Sequence, residues 1–233
     1  MLADGQSEEA VAEFRQLLPP NAEASIWARA GRALSQSGHY DLAVPFLERV
    51  TGARIDLANA ILHTKGPTAA LQAIEGPVEG QAGDFLLMKA LILDADGRTE
   101  QAQALLTEDL ARTAASPRVI EQAVKLLARR GRFQQALDLL KGRDTAELRL
   151  AHAVILALMN QNAAAEKLLK DVESRWPEWD AAYLAHGLLL EATGRKREAA
   201  AKLRTAIALG SREQASSCSL AQWFFSPGDC DSL

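Results

Sequence analysis

The sequence predicts an all-α fold, a solenoid of stacked antiparallel helical hairpins, and three observations carry that expectation. A turn glycine followed five residues later by alanine recurs at Gly5/Ala10, Gly38/Ala43, Gly97/Ala102, Gly131/Ala136 and Gly194/Ala199. Asn160/Ala165 is a variant of the same pair, since Asn is the residue that best replaces Gly where φ is positive. Taking Ala70 for one irregular unit, successive anchor alanines lie 33, 27, 32, 34, 29 and 34 residues apart. Such self-similarity marks repeated units that each bury a face against their neighbours. Finally, Ala and Leu dominate while aromatics make up only 5% of the chain, which suits helices packed at close range.

The units follow in order. Residues 1–22 read as the second half of a repeat, stopped by Pro19-Pro20. Residues 24–50 hold Trp27, Gly31, Leu34, Gly38, Tyr40, Ala43 and Leu47. A short, degenerate hairpin spans 54–76, turning at Gly66-Pro67 and stopping at Gly76-Pro77. Repeats at 83–112, 117–142 and 146–177 come next, punctuated by Ser116-Pro117, Lys141-Gly142 and Trp176-Pro177; Gly and Pro are the strongest local punctuators. No long polar linker divides the chain, so residues 1–210 read as one domain with a tail at 211–233.

The clearest hairpin is 180–210. Its apolar-periodic segments Ala181–Ala192 and Glu198–Leu209 meet at Thr193-Gly194-Arg195. Tyr183, Gly187 and Leu190 share one face of the first segment, and Ala199, Leu203 and Ala206 share one face of the second. Helices crossing at about 8–10 Å need small residues where their axes approach, and Gly187 and Ala199 meet that need.

Counted from Asp180 as position 1, an aromatic at 4, Gly at 8 and 15, Ala at 20 and a small residue at 27 resemble the tetratricopeptide (TPR) repeat. Leucines at 11 and 24 stand where that pattern has aromatics. The resemblance covers nearly the whole chain and implies a right-handed α-solenoid of about six to seven repeats. It also implies a protein-interaction scaffold with no catalysis of its own and no cofactor.

Composition limits the alternatives. The net charge of −4 offers no broad basic field for nucleic acid. The clusters at Arg129-Arg130-Gly131-Arg132 and Arg195-Lys196-Arg197 fall at helix turns, with no aromatics interleaved for base stacking. No apolar run approaches the roughly 18 residues of a membrane span, and the opening MLADGQSEEA has no signal-peptide pattern. A cytoplasmic location is expected, or a soluble place in the cell envelope if the natural N-terminus lies further upstream. His39, His63, His152 and His186 fall in four different repeats without metal-ligand spacing and read as packing or surface residues. Asp94-Ala95-Asp96-Gly97 resembles the start of a calcium loop but lacks its twelve-residue frame, and coincides with a turn glycine. There is no nucleophile elbow and no phosphate-binding loop.

In the TPR family, first-helix positions 2, 5, 9, 12 and 13 line a concave groove. Carried over, that placement implies partner-binding residues Arg32 and Gln36 in the 24–50 repeat and Leu87 and Leu91 in the next full one. It further implies Arg118, Glu121, Lys125 and Arg129, then Leu150 and Val154, then Leu184 and Leu188. The groove would be charged in its middle and apolar toward its C-terminal end. Those apolar positions are either core or a seat for an amphipathic helix or extended peptide of a partner protein. The Lys and Asn clamp by which some members hold a peptide carboxylate is absent.

The tail continues the register. Leu220, Ala221, Phe224 and Gly228 match positions 7, 8, 11 and 15 of an eighth unit. Leu220, Trp223, Phe224 and Phe225 then form an apolar surface, covered by a second copy, by further chain, or by the tail folding into the groove. Two other functional readings stand beside the scaffold: a regulatory or docking segment of a larger enzyme or envelope-assembly complex, and an RNA-binding helical repeat.

Overall fold

The computed structural model describes residues 23–76 and 82–210. The half repeat expected over 1–22 and the tail at 211–233, with Leu220, Trp223, Phe224 and Phe225, lie outside the described residues.

Among the described residues there are twelve α-helices and no strand. They are α1 (Ala24–Gln36), α2 (Tyr40–Leu47), α3 (Arg54–Lys65), α4 (Pro67–Ile74), α5 (Ala82–Ala95) and α6 (Thr99–Ala104). After them come α7 (Pro117–Arg129), α8 (Phe133–Leu140), α9 (Ala146–Leu158), α10 (Asn162–Arg175), α11 (Asp180–Ala192) and α12 (Lys196–Gly210). Odd-numbered helices are the first helices of hairpins and even-numbered ones the second. The fold is the expected all-α array of antiparallel hairpins, and its Cα packing falls into two compact units, Met1–Thr113 and Ala114–Leu233.

The turn signature has a direct structural cause. Gly38, Gly97, Gly131 and Gly194 have φ of 79°, 77°, 69° and 80°, and Asn160 stands in with φ 59°. One left-handed residue lets the next amide reach back to the helix it has just left. His39, Arg98, Arg132, Gln161 and Arg195 donate their N–H to the carbonyls of Leu34, Leu93, Leu127, Leu156 and Leu190 at 2.8–2.9 Å. The anchor alanines Ala43, Ala70, Ala102, Ala136, Ala165 and Ala199 are each at most 3% exposed. Ala70, rather than Leu71, is therefore the anchor of the short repeat.

In the first unit, α1 packs on α2 and α3 on α4, while α2 lies against α3 and α4 against α5. Gly31 marks the α1–α2 crossing, where a Cβ would come within 2.6 Å of Leu47. Gly66, with φ 83°, caps both α3 and α4, so this hairpin has almost no loop. After α6 the chain widens into one π turn at Leu105–Asp109 and tightens into a 3₁₀ turn at Leu110–Arg112. Leu106 and Leu110 remain buried through that change.

In the second unit, α7–α8, α9–α10 and α11–α12 are hairpins, and the first helices α7, α9 and α11 lie side by side. Pro117 starts α7 where its missing N–H costs nothing, and Ser116 Oγ accepts the Val119 amide at 3.4 Å. Thr145 caps α9 in the same way through the Leu148 amide. A Cβ on Gly187 would meet Leu203 at 2.8 Å, the same crossing as Gly31 and Leu47 five repeats earlier. No described helix is long and apolar enough to cross a membrane.

Candidate functional site

Side chains at the expected groove positions have three different fates. Arg32 and Gln36 are exposed on α1, and Arg32 Nε donates to Asp56 Oδ2 on α3 at 2.7 Å. That ion pair bridges two neighbouring first helices. On α5, Leu87 is buried and Leu91 half-buried.

On α7, Arg118 and Arg129 are exposed. Glu121 and Lys125 pair one turn apart at 3.3 Å, with side chains only 19% and 12% exposed. Next to them, α9 turns Leu150 and Val154 inward, both buried. On α11, Leu184 and Leu188 are half-buried, as is Leu158 at the end of α9. The first-helix face of this unit therefore presents the Glu121–Lys125 pair, the exposed Arg118 and Arg129, and partly open leucines at Leu158, Leu184 and Leu188. Leu150 and Val154 lie beneath that face.

A second constellation surrounds His186, one of the four histidines read from the sequence as packing or surface residues. His186 on α11 is 1% exposed, and its Nδ1 lies 2.8 Å from Glu173 Oε1 on α10. Glu173, itself buried, also accepts from Lys202 Nζ on α12 at 2.5 Å. The Lys202 ammonium lies 5.3 Å from the Tyr183 ring centre. His186 Nε2 makes no hydrogen bond and faces Glu166 Oε1 at 3.9 Å. Glu166 is held by Lys170 at 2.7 Å and by Arg195 at 2.6 Å, and Arg195 also binds Glu198. One polar cluster thus joins α10, α11 and α12. A signal for it existed: His186 falls on the buried stripe Ala182, Ala185, His186, Leu189, Leu190 at helical spacing.

Burial works to raise the Glu173 carboxyl, but hydrogen bonds from His186 and Lys202 outweigh it and leave the group below its ordinary value. Hydrogen bonds from Lys170 and Arg195 hold Glu166 down to about 2, against an ordinary 4.5. A carboxylate with a depressed folded value stabilises the fold above its unfolded value and loses that contribution as pH falls through the folded one. Melting temperature is therefore expected to drop between about pH 4.5 and 2. Glu166→Gln and Glu173→Gln variants should show a shallower drop over that window in thermal melts. Equal slopes would show that this cluster does not govern acid stability.

The other histidines have ordinary surroundings. His39 precedes α2, His63 stacks on Tyr40 with ring centres 4.0 Å apart, and burial lowers the half-buried His152, helped by the Arg149 charge. Among the described residues no group of three or more His, Cys, Asp or Glu side chains could hold a metal ion. The Asp94–Gly97 stretch is a helix turn, with Asp96 3.8 Å from Arg98.

Comparison with known proteins bears on the repeat. The tetratricopeptide repeat family model matches residues 24–54. No curated protein matches the chain. Similar solved structures include MamA MSR-1, at 16% identity and TM-score 0.44 over 81% of this chain and 97% of that one. Another is YrrB, described as a TPR protein with an unusual peptide-binding site, at 15% identity and TM-score 0.46 over 73% and 91%. The repeat assignment itself stands on the matched segment and on the turn geometry it shares with later hairpins. Residues 24–54 match the tetratricopeptide repeat, and the described residues as a whole form an all-α succession of helical hairpins.

Proposed function

We propose that the chain is a protein-interaction scaffold that takes a helix or extended peptide of a partner along the first-helix face of α7, α9 and α11, without chemistry of its own. The observation that supports this reading is the juxtaposition on adjacent helices of Lys125, Arg118 and Arg129 with the partly open Leu158, Leu184 and Leu188. Such a face suits an amphipathic segment with acidic residues beside its apolar anchors, the pattern of helix-in-groove recognition. Leucines supply burial and the cations supply orientation, since rim charges govern approach and register more than net affinity.

The test is selection of binding peptides from a helical library, followed by titration against variants. Lys125→Glu and Leu184→Asp are each expected to weaken a selected acidic amphipathic peptide by about tenfold or more, the loss typical of an interface anchor. Circular dichroism melts should show both variants folded. Unchanged affinity in both would remove this face from consideration as the binding surface.

A further inference from the structure

Helices α10 and α12 are second helices of consecutive repeats whose turn residues, Asn160 and Gly194, stand 34 positions apart. Each residue of α10 therefore has an equivalent in α12. Ala165 and Val172 correspond to Ala199 and Ala206, and all four are buried. Position 173 breaks the match. Glu173 is 9% exposed because α11 lies over it, with His186 Nδ1 at 2.8 Å. Its equivalent, Ile207, is 72% exposed and is the one exposed large hydrophobic side chain among the described residues.

The same shift applied to α11 identifies an occupant. His186, the partner of Glu173, corresponds to Leu220, so a polar pair becomes the apolar pair Ile207 and Leu220, both members changing together. Leu189 and Leu190, at 4% and 2% exposure, correspond to Trp223 and Phe224. Ala182, Ala185 and Gly187, buried where α11 meets its neighbours, correspond to Ser216, Ser219 and Ala221, which keeps small residues at each close approach. Phe225 corresponds to the exposed Glu191 and takes no part. The connection also fits: α10 ends at Arg175 and α11 begins at Asp180, while α12 ends at Gly210 and the equivalent start is Gln214.

We infer that the outer face of α12 around Ile207 is a docking site for the chain's own segment 214–225, seated on α12 as α11 is seated on α10, with Leu220 over Ile207. A lone exposed apolar side chain is ordinary in itself; what singles out Ile207 is that its counterpart Glu173 is buried beneath the next first helix. Seated there, the segment would also flank α11 as α11 flanks α9, at the edge of the first-helix face proposed for partners.

The experiment uses the full chain with Cys218→Ser and Cys230→Ser. Ile207→Cys/Leu220→Cys is compared with Ile207→Cys/Phe225→Cys after treatment with a short bismaleimide at low protein concentration. The first pair should cross-link within one chain about tenfold faster than the second, because docking raises the effective concentration of the facing thiols. Hydrogen exchange on the protein with native residues at these positions should show amides of 214–225 protected, and Ile207→Asp should abolish that protection while 180–192 keeps its own. Cross-links between chains would assign the face to a second copy and overturn the proposal. Equal rates for the two pairs, or no protection in 214–225, would overturn it as well.

Discussion

Glu173→Ala is expected to destabilise the second unit by about 3 kcal/mol, the low end of the range for removing one member of a buried charged pair. Burial and partners set that scale. Glu173 is 9% exposed and accepts from both His186 and Lys202. Without it, the His186 Nδ1 proton is left in a 1% exposed site with no acceptor, and an unsatisfied buried donor forfeits its hydration with nothing in return. Lys202 suffers less, since its side chain is 29% exposed and its ammonium can turn to water.

The double variant Glu173→Ile/His186→Leu is expected to recover most of the loss. Well-packed apolar residues of similar volume often equal or exceed a buried ion pair in stability, and one repeat later the sequence has Ile207 and Leu220 at these positions. Denaturant titration of the full chain checks both statements. A double variant as unstable as Glu173→Ala would mean that the polar cluster is needed as a unit. A neutral Glu173→Ala would mean that water replaces the carboxylate.

Leu150→Ala is expected to cost about 2–5 kcal/mol, the range for truncating a buried leucine whose site cannot collapse. Leu150 lies in the middle first helix of its unit, with α7 on one side and α11 on the other, and is 2% exposed. Leu184, at the same repeat position one hairpin later, is half-buried among the described residues, so Leu184→Ala should cost clearly less wherever α11 is flanked by α9 alone. Equal losses would mean that the two positions share one environment. The contrast decides how the binding surface is probed. A change at Leu150 or Val154 would act on stability before it acted on any partner, whereas Leu184 reports on the surface.

Much of the architecture was written locally. A left-handed turn residue and a small crossing residue are needs of the backbone, so Gly38/Ala43 through Gly194/Ala199 could be recognised without any tertiary knowledge. The same holds for Asn160, which keeps the left-handed turn without glycine. Ser116-Pro117 reads equally well from sequence as a boundary, because a proline without an N–H fits the first turn of a helix and not its interior.

Position number alone could not separate core from surface on the first helices. Leu150 and Leu184 share one repeat position and one residue type, yet one is buried and the other half-open. The difference comes from neighbours: α9 is flanked by first helices on both sides, whereas among the described residues α11 has α9 on one side only. Arg32 likewise looks free in sequence, and its pairing with Asp56 requires two helices 24 residues apart to be brought side by side.

The sequence by itself determined the hairpins, their turns and the small residues at their crossings, because those are set within some thirty residues of chain. Only the tertiary structure assembled Glu166, Glu173, His186, Arg195 and Lys202 into one cluster. Burial beneath a neighbouring helix is a property of the stack, and a carboxylate becomes a buried partner only when the next hairpin lies over it.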